Sequence, residues 1–214
     1  MSALSLAISR RHLPTLPDPI PGHPWYVLVQ ADDSAADSPL EAQLEGALGN
    51  AIEQELVADV TIAQSVDQAN ALWALRENIS EGQRREGPNI KHDISVPVSA
   101  IPRFLDEAAA ALGEALPGLQ FVTFGHLGDG NLHYNLAAPG GVPPEAFMAE
   151  ASRANRIVHD LVAAHGGSIS AEHGIGQLKR GELAHYKSAV ELELMRRLKA
   201  AFDPRGLLNP GKVL

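Results

Sequence analysis

Residues Leu119 to Ala137 read LQFVTFGHLGDGNLHYNLA, and this stretch decides the fold. Leu119–His126 is rich in aromatic and β-branched residues, and Leu132–Ala137 alternates apolar with polar positions, so each predicts a strand. Between them Gly128-Asp129-Gly130-Asn131 has the composition of a turn. Two strands joined this closely form a hairpin, so at least one neighbouring pair of the sheet is antiparallel.

Working outward, Ile94–Val98 (ISVPV) predicts a third strand whose Pro97 marks its end or an edge position. A helix follows from Ile101 to Leu116, stopped by Pro117-Gly118. On the other side Pro143 to His165 predicts the longest helix, closed by Gly166-Gly167. Ser168–Ala171 reads as a short strand or turn, and a last helix runs from Val190 to Phe202 before an irregular tail. Nearer the N-terminus, helical spacing covers Leu40–Leu56 and Val66–Ile79, the latter capped by Ser65. Trp25–Ala31 (WYVLVQA) and Val57–Gln64 (VADVTIAQ) have strand composition. The prolines at 14, 17, 19, 21 and 24 make an extended lead-in, and Asp32–Pro39 a loop tip. Together these elements predict one α+β domain over residues 1–214, with a mostly antiparallel sheet, helices packed on one face and further helices at the C-terminus.

Composition narrows the chemistry. The 214 residues are 45% hydrophobic with only 5% aromatic, so the core rests on Leu, Val, Ile and Ala. There is no cysteine, which excludes disulfides, thiolate metal sites, iron–sulfur clusters and cysteine nucleophiles together. A formal net charge of −9 without a basic stripe argues against nucleic acid or an anionic membrane as partner. No apolar run is long enough to span a bilayer, and Leu4, Leu6 and Ile8 precede Arg10 and Arg11, the reverse of a secretory signal. A soluble, cytoplasmic protein is the expectation.

Histidine beside glycine is the chemical signal. If His126 ends one strand of the hairpin and His133 opens the next, both imidazoles can face one point. Neutral imidazole is a common ligand of first-row divalent metals. On spacing alone, a polar hairpin with two hydrogen-bonded histidines is the plainer explanation. Ala171-Glu172-His173-Gly174-Ile175-Gly176 changes the balance, because it adds a carboxylate and another imidazole in a second glycine-flanked segment. Two histidines and a glutamate form a ligand set for Zn²⁺ or Fe²⁺ that leaves positions open for substrate. The alternative for Glu172 and His173 is a loop ion pair. Asp129 either orients a histidine or supports its own turn. His159, His165 and His185 read as helix-end or surface residues, and Trp25 and Trp73 as core or interface. Neither Gly128-Asp129-Gly130 nor Gly174-Ile175-Gly176 has a phosphate-loop pattern.

HLGDGNLHYN (126–135), SAEHGIG (170–176) and FDPRGLLNPGK (202–212) resemble the C-terminal half of the FAD-linked oxidases. That family includes dehydrogenases of D-2-hydroxyglutarate and D-lactate and the flavin subunit of glycolate oxidase. The resemblance runs from about Leu13 to Leu214 and implies a ferredoxin-like cap domain that carries substrate and metal. The FAD-binding domain of the family has no counterpart here, so FAD is expected from a missing domain or a separate subunit. The resemblance further implies that His126, His133 and Glu172 bind a divalent metal, zinc first, and that Asn135 reaches the substrate.

It implies His173 as general base, taking the hydroxyl proton of a 2-hydroxy acid while the C2 hydride leaves for the flavin. Arg76, Ser80 and Lys91 match its carboxylate-binding positions; by themselves, the two cations would read as solvated charges. Asn209 and Lys212 match a segment that returns to the flavin domain, and in this chain alone a loose tail is the alternative. The implied activity is oxidation of a D-2-hydroxy acid to a 2-keto acid. A stand-alone metal-dependent hydrolase, lyase or oxygenase and a non-catalytic binding or assembly domain are the alternatives. A homodimer is a further expectation.

Overall fold

The computed structural model describes residues 1–35 and 37–214 of the chain. The loop expected at 32–39 includes residue 36, which lies outside the described residues. The elements in chain order are α1 (Ala3–His12), α2 (Leu40–Glu53), α3 (Val66–Glu77), α4 (Ile79–Glu86), β1 (Asn89–Ile90), β2 (Asp93–Ser95), α5 (Ile101–Ala115), β3 (Gln120–His126), β4 (Asn131–Ala137), α6 (Pro144–Ala149), α7 (Ala151–Ala164), α8 (Arg180–Tyr186) and α9 (Ala189–Phe202). The fold is α+β with a small antiparallel sheet, as expected. Two compact units divide it: residues 1–89 with 122–124, and residues 90–121 with 125–214.

In the first unit α1 packs against α4 and α3. Ser2 caps α1, its hydroxyl accepting from the Ser5 amide, and Ser5 Oγ donates to the Thr123 carbonyl at 2.9 Å. The two strands expected here do not form. Trp25 makes only an isolated bridge with Ser2, and 57–64 is irregular. Val27 and Val29 lie exposed, so the apolar composition there does not serve a buried sheet face. The helix expected to end at Ile79 stops at Glu77, and α4 begins immediately as a separate short helix.

In the second unit β4 is the hub of the sheet, paired with β1, β2 and β3. Its antiparallel register against β2 sets Asp93 opposite His133, Ile94 opposite Leu132 and Ser95 opposite Asn131. Strand alternation then sorts the side chains. Leu132, Tyr134 and Leu136 join Ile90 and Ile94 in the core, whereas His133 and Asp93 share the other face. Helical spacing supplies the second layer: Ile101, Phe104, Ala108 and Leu112 from α5 meet Ala154, Val158 and Val162 from α7. Each large side chain buried there contributes about 1.5–3 kcal/mol. The single helix expected from Pro143 to His165 is two, α6 and α7, joined at Glu150. Among the described residues no helix is long and apolar enough to cross a membrane.

Candidate functional site

The hairpin is built around two close backbone approaches. A β-carbon at Gly130, which sits at φ 74°, would lie 2.0 Å from the Val96 carbonyl oxygen, and one at Gly125 would lie 2.0 Å from that of Asn131. Glycine is therefore required at both positions by space, and at Gly130 by conformation as well. Asp129 spends Oδ1 on the Asn131 amide at 3.0 Å, so it supports the turn. His126 is left exposed at the end of β3, and His133 half-buried on β4.

Glu172 meets both. Its Oε1 is 3.0 Å from His126 Nδ1 and its Oε2 is 3.6 Å from His133 Nε2, so each oxygen faces an imidazole from a different strand. His173 follows, its ring centroid 5.9 Å from that of His133. The residues expected as metal ligands and as base thus lie on one side of the hairpin, and two imidazoles and a carboxylate are donors of the kind that bind divalent cations.

The Glu172–His173 segment has neither helix nor strand, and a buried carboxylate holds it. Asp93, 3% exposed, accepts the amides of Ala171, Glu172 and His173 at 2.8–3.3 Å and the Asn131 side-chain amide at 3.2 Å. Burial opposes its ionisation, but the amides of His173 and Glu172, the His173 charge and Asn131 outweigh it, and the carboxyl stays below the ordinary range. Asp93 also lies with His133 and His173 in a group whose ligand atoms fall within 4.8 Å of one another. Lys179 adds a half-buried cation whose Nζ donates to the Ile169 carbonyl at 2.7 Å; burial lowers its pKa against the opposing charge of Asp93.

Sequence reading missed both residues. Asp93 carries no motif of its own, and its role rests on contacts with residues far along the chain. The one available signal was its place in Lys91-His92-Asp93, beside a residue already singled out.

Asn135 is buried on β4, and its Oδ1 accepts the His92 amide at 3.2 Å. Lys91 is exposed ahead of β2. In the first unit, Arg76 is half-buried with its guanidinium 4.8 Å over the Phe124 ring, and Ser80 is exposed on the first turn of α4. Asn209 and Lys212 lie in an exposed but tied tail: the Val213 amide donates to the Gly176 carbonyl at 2.7 Å, and Lys212 Nζ to Gln177 at 3.2 Å. Asp203 anchors its start by accepting the Leu207 and Leu208 amides. His159, expected at the surface, is 3% exposed and pairs with Glu182 at 3.0 Å, because α8 packs over it.

The family model described as FAD linked oxidases, C-terminal domain, matches residues 1–213. The chain is 41% identical over 193 residues to the D-2-hydroxyglutarate dehydrogenase of Stutzerimonas stutzeri (strain A1501), covering 89% of this chain and 40% of that protein. It is 43% identical over 191 residues to the enzyme of the same name from Xanthomonas citri pv. viticola, with the same coverage. To the mitochondrial D-2-hydroxyglutarate dehydrogenase of Rattus norvegicus it is 38% identical over 215 residues, covering 100% of this chain and 38% of that protein. The chain spans about two-fifths of the length of these curated relatives.

Proposed function

The chain belongs to the FAD linked oxidase C-terminal domain family, and from that premise we propose that it is the metal- and substrate-binding part of a dehydrogenase that oxidises a D-2-hydroxy acid. D-2-hydroxyglutarate is the first substrate to test, because the relatives above carry its name. The observation that carries the proposal is the carboxylate of Glu172, with one oxygen facing His126 and the other His133. In this proposal the three donors hold a divalent metal, zinc, and leave positions for a substrate.

When bound, the metal supplies Lewis acidity to a substrate hydroxyl, and FAD, held by another domain or subunit, supplies the hydride acceptor. The chain's own groups do the rest. His173 takes the hydroxyl proton; its Nδ1 lies 3.8 Å from Asp93 Oδ2. Lys91, Arg76 and Ser80 enter as carboxylate-binding groups on the motif resemblance alone, as do Asn135 toward the substrate and Asn209 and Lys212 toward the flavin-bearing part.

Calorimetric titration of Zn²⁺ into the metal-free chain, with elemental analysis of the product, tests this directly. One ion per chain is expected, with uptake abolished in the His126→Ala/Glu172→Gln double variant. Failure of the wild-type chain to take up zinc, iron or manganese would sink the proposal. Turnover of a hydroxy acid without any flavin would favour a stand-alone metal enzyme instead.

A further inference from the structure

The segment bearing Glu172 and His173 is bridged locally by Ser170 Oγ, which donates to the Gly174 carbonyl at 2.8 Å, a bond that does not tie it to the hairpin. It contains no regular secondary structure, both side chains are exposed, and Gly174 and Gly176 on its far side adopt left-handed backbone conformations. A loop of this kind, left to itself, samples many arrangements. Yet the proposed chemistry requires the Glu172 carboxylate to stay between two imidazoles carried by other strands.

Asp93 resolves the difficulty. Three consecutive amides point at its carboxylate: Ala171 to Oδ2 at 3.2 Å, Glu172 to both oxygens at 3.0 and 3.3 Å, and His173 to Oδ2 at 2.8 Å. Successive N–H groups converging on one anion form a cradle that fixes the backbone which supplies them. The fourth donor comes from elsewhere, since Asn131 Nδ2 reaches Oδ1 at 3.2 Å from the first residue of β4. One buried carboxylate thereby ties the loop to the hairpin on which His126 and His133 ride. Upstream, Ser95 and Ser168 exchange backbone hydrogen bonds at 2.8 and 2.9 Å, which brings the chain into reach of Asp93.

Asp93 could instead be a metal ligand, being close to His133 and His173. Its bonding argues otherwise. Both oxygens are engaged by N–H donors, and a cation taking Oδ2 would displace the His173 amide from its acceptor at 2.8 Å and leave the Ala171 and Glu172 amides only their longer 3.3 Å contacts to the Asp93 carbonyl and Oδ1. We propose that Asp93 is the positioning residue of this site: its carboxylate holds the 171–173 backbone against the hairpin and so sets Glu172 between His126 and His133. The consequence for metal affinity rests on the metal-binding proposal above. The clamp itself does not, and it is measurable without metal.

The test uses the whole chain and Asp93→Asn, whose amide sets an NH₂ group where N–H donors already point. Hydrogen exchange in the metal-free proteins is read at the amides of Ala171, Glu172 and His173, with Tyr134 and Leu136 of β4 as internal reference. Exchange at the three loop amides should rise at least about tenfold while the β4 amides hold their rates. Zn²⁺ affinity should fall about 10- to 100-fold.

Unchanged loop exchange in metal-free Asp93→Asn overturns the proposal, whatever happens to zinc, because a ligand or a bystander would leave the metal-free loop as it was. Should that variant not fold, Asp93→Ser, which keeps a small polar side chain and removes the carboxylate, takes its place. Faster loop exchange in it supports the clamp, and unchanged exchange overturns it. A wild-type chain that binds no zinc sinks the metal proposal alone, and exchange still decides the role of Asp93.

Discussion

Two groups of histidines lie in the second unit, and they are opposites. His126, His133 and His173 gather around Glu172 on the open side of the hairpin. His92 and His159 stand edge to face, 5.8 Å between ring centroids, in the interior beneath it. Both groups contain imidazoles and a carboxylate, Glu172 in one and Glu182 in the other. What separates them is water. The outer group is largely open to solvent, with His133 its most covered member. Around the inner group burial drives His92 down to about 4, against the opposing Tyr134 carbonyl on Nδ1, and lowers His159 against the pull of Glu182. The inner histidines are therefore neutral structural groups. The two clusters share a composition and differ in accessibility.

The sharpest way to break this contrast is to delete one member from each side. His126→Ala should reduce Zn²⁺ affinity by at least about 1,000-fold, more than the loss of an outlying hydrogen-bond partner, while thermal stability moves by less than about 0.5 kcal/mol. Calorimetry with zinc and a melting curve check the two halves of that statement. A substitution at His92 should do the reverse, leaving zinc affinity within a few-fold and acting on stability.

His92 also gives the inner group a pH signature with a definite sign. Its pKa is about 4 in the folded chain and 6.5 in the unfolded one, so between these values the unfolded state binds the extra proton. Stability is therefore full above pH 6.5 and is lost progressively as pH falls toward 4, by about 3 kcal/mol for this one group. Comparing denaturant unfolding of the wild type and His92→Gln from pH 7 to 4.5 isolates it. The variant's stability should fall less steeply, and parallel curves would show that His92 is not buried as neutral imidazole.

Glu182 offers a smaller test of the same contrast. It accepts from Arg156 at 2.9 Å and faces His159 at 3.0 Å, in a setting partly open to solvent. Glu182→Gln should cost about 1 kcal/mol, discounted for that exposure. Zinc affinity should not respond. A loss of zinc binding in this variant would mean the two groups are coupled and the contrast is wrong.

The outer cluster was legible in the sequence for a physical reason: a turn is local. Glycine spacing announced the hairpin between His126 and His133, and the same kind of segment carried Glu172 and His173. Helices α2, α5 and α9 were also expected, α2 from its apolar spacing and α5 from the Pro117-Gly118 stop that follows it. What depended on distant partners was not. Strand composition at 25–31 and 57–64 could not reveal that no ladder forms there, since pairing is decided by another stretch of chain. His159 looked superficial because α8, which covers it, lacks a strong periodic signature. Asp93 was hidden most completely: its three loop amides lie some eighty positions onward, joined to it by folding alone.

The smallest effect separates satisfied from unsatisfied polarity inside the core beside His92. Tyr134 is 1% exposed and packed between Phe104 and Phe121, with ring centroids 5.7 and 5.8 Å away. Its carbonyl serves His92, but among the described residues its hydroxyl has no hydrogen-bond partner. Burial accordingly drives the phenol's pKa far above its ordinary value, and ionisation is of no use there. A buried hydroxyl without a partner is a desolvation cost that the neighbouring ring contacts must offset. Tyr134→Phe keeps the rings and removes the cost, so it should leave stability unchanged or raise it by up to about 1 kcal/mol. Zinc affinity should stay at the wild-type value. A loss of more than about 1 kcal/mol in chemical denaturation would mean that the hydroxyl is bonded, and that the inner group extends through Tyr134 as a connected polar network.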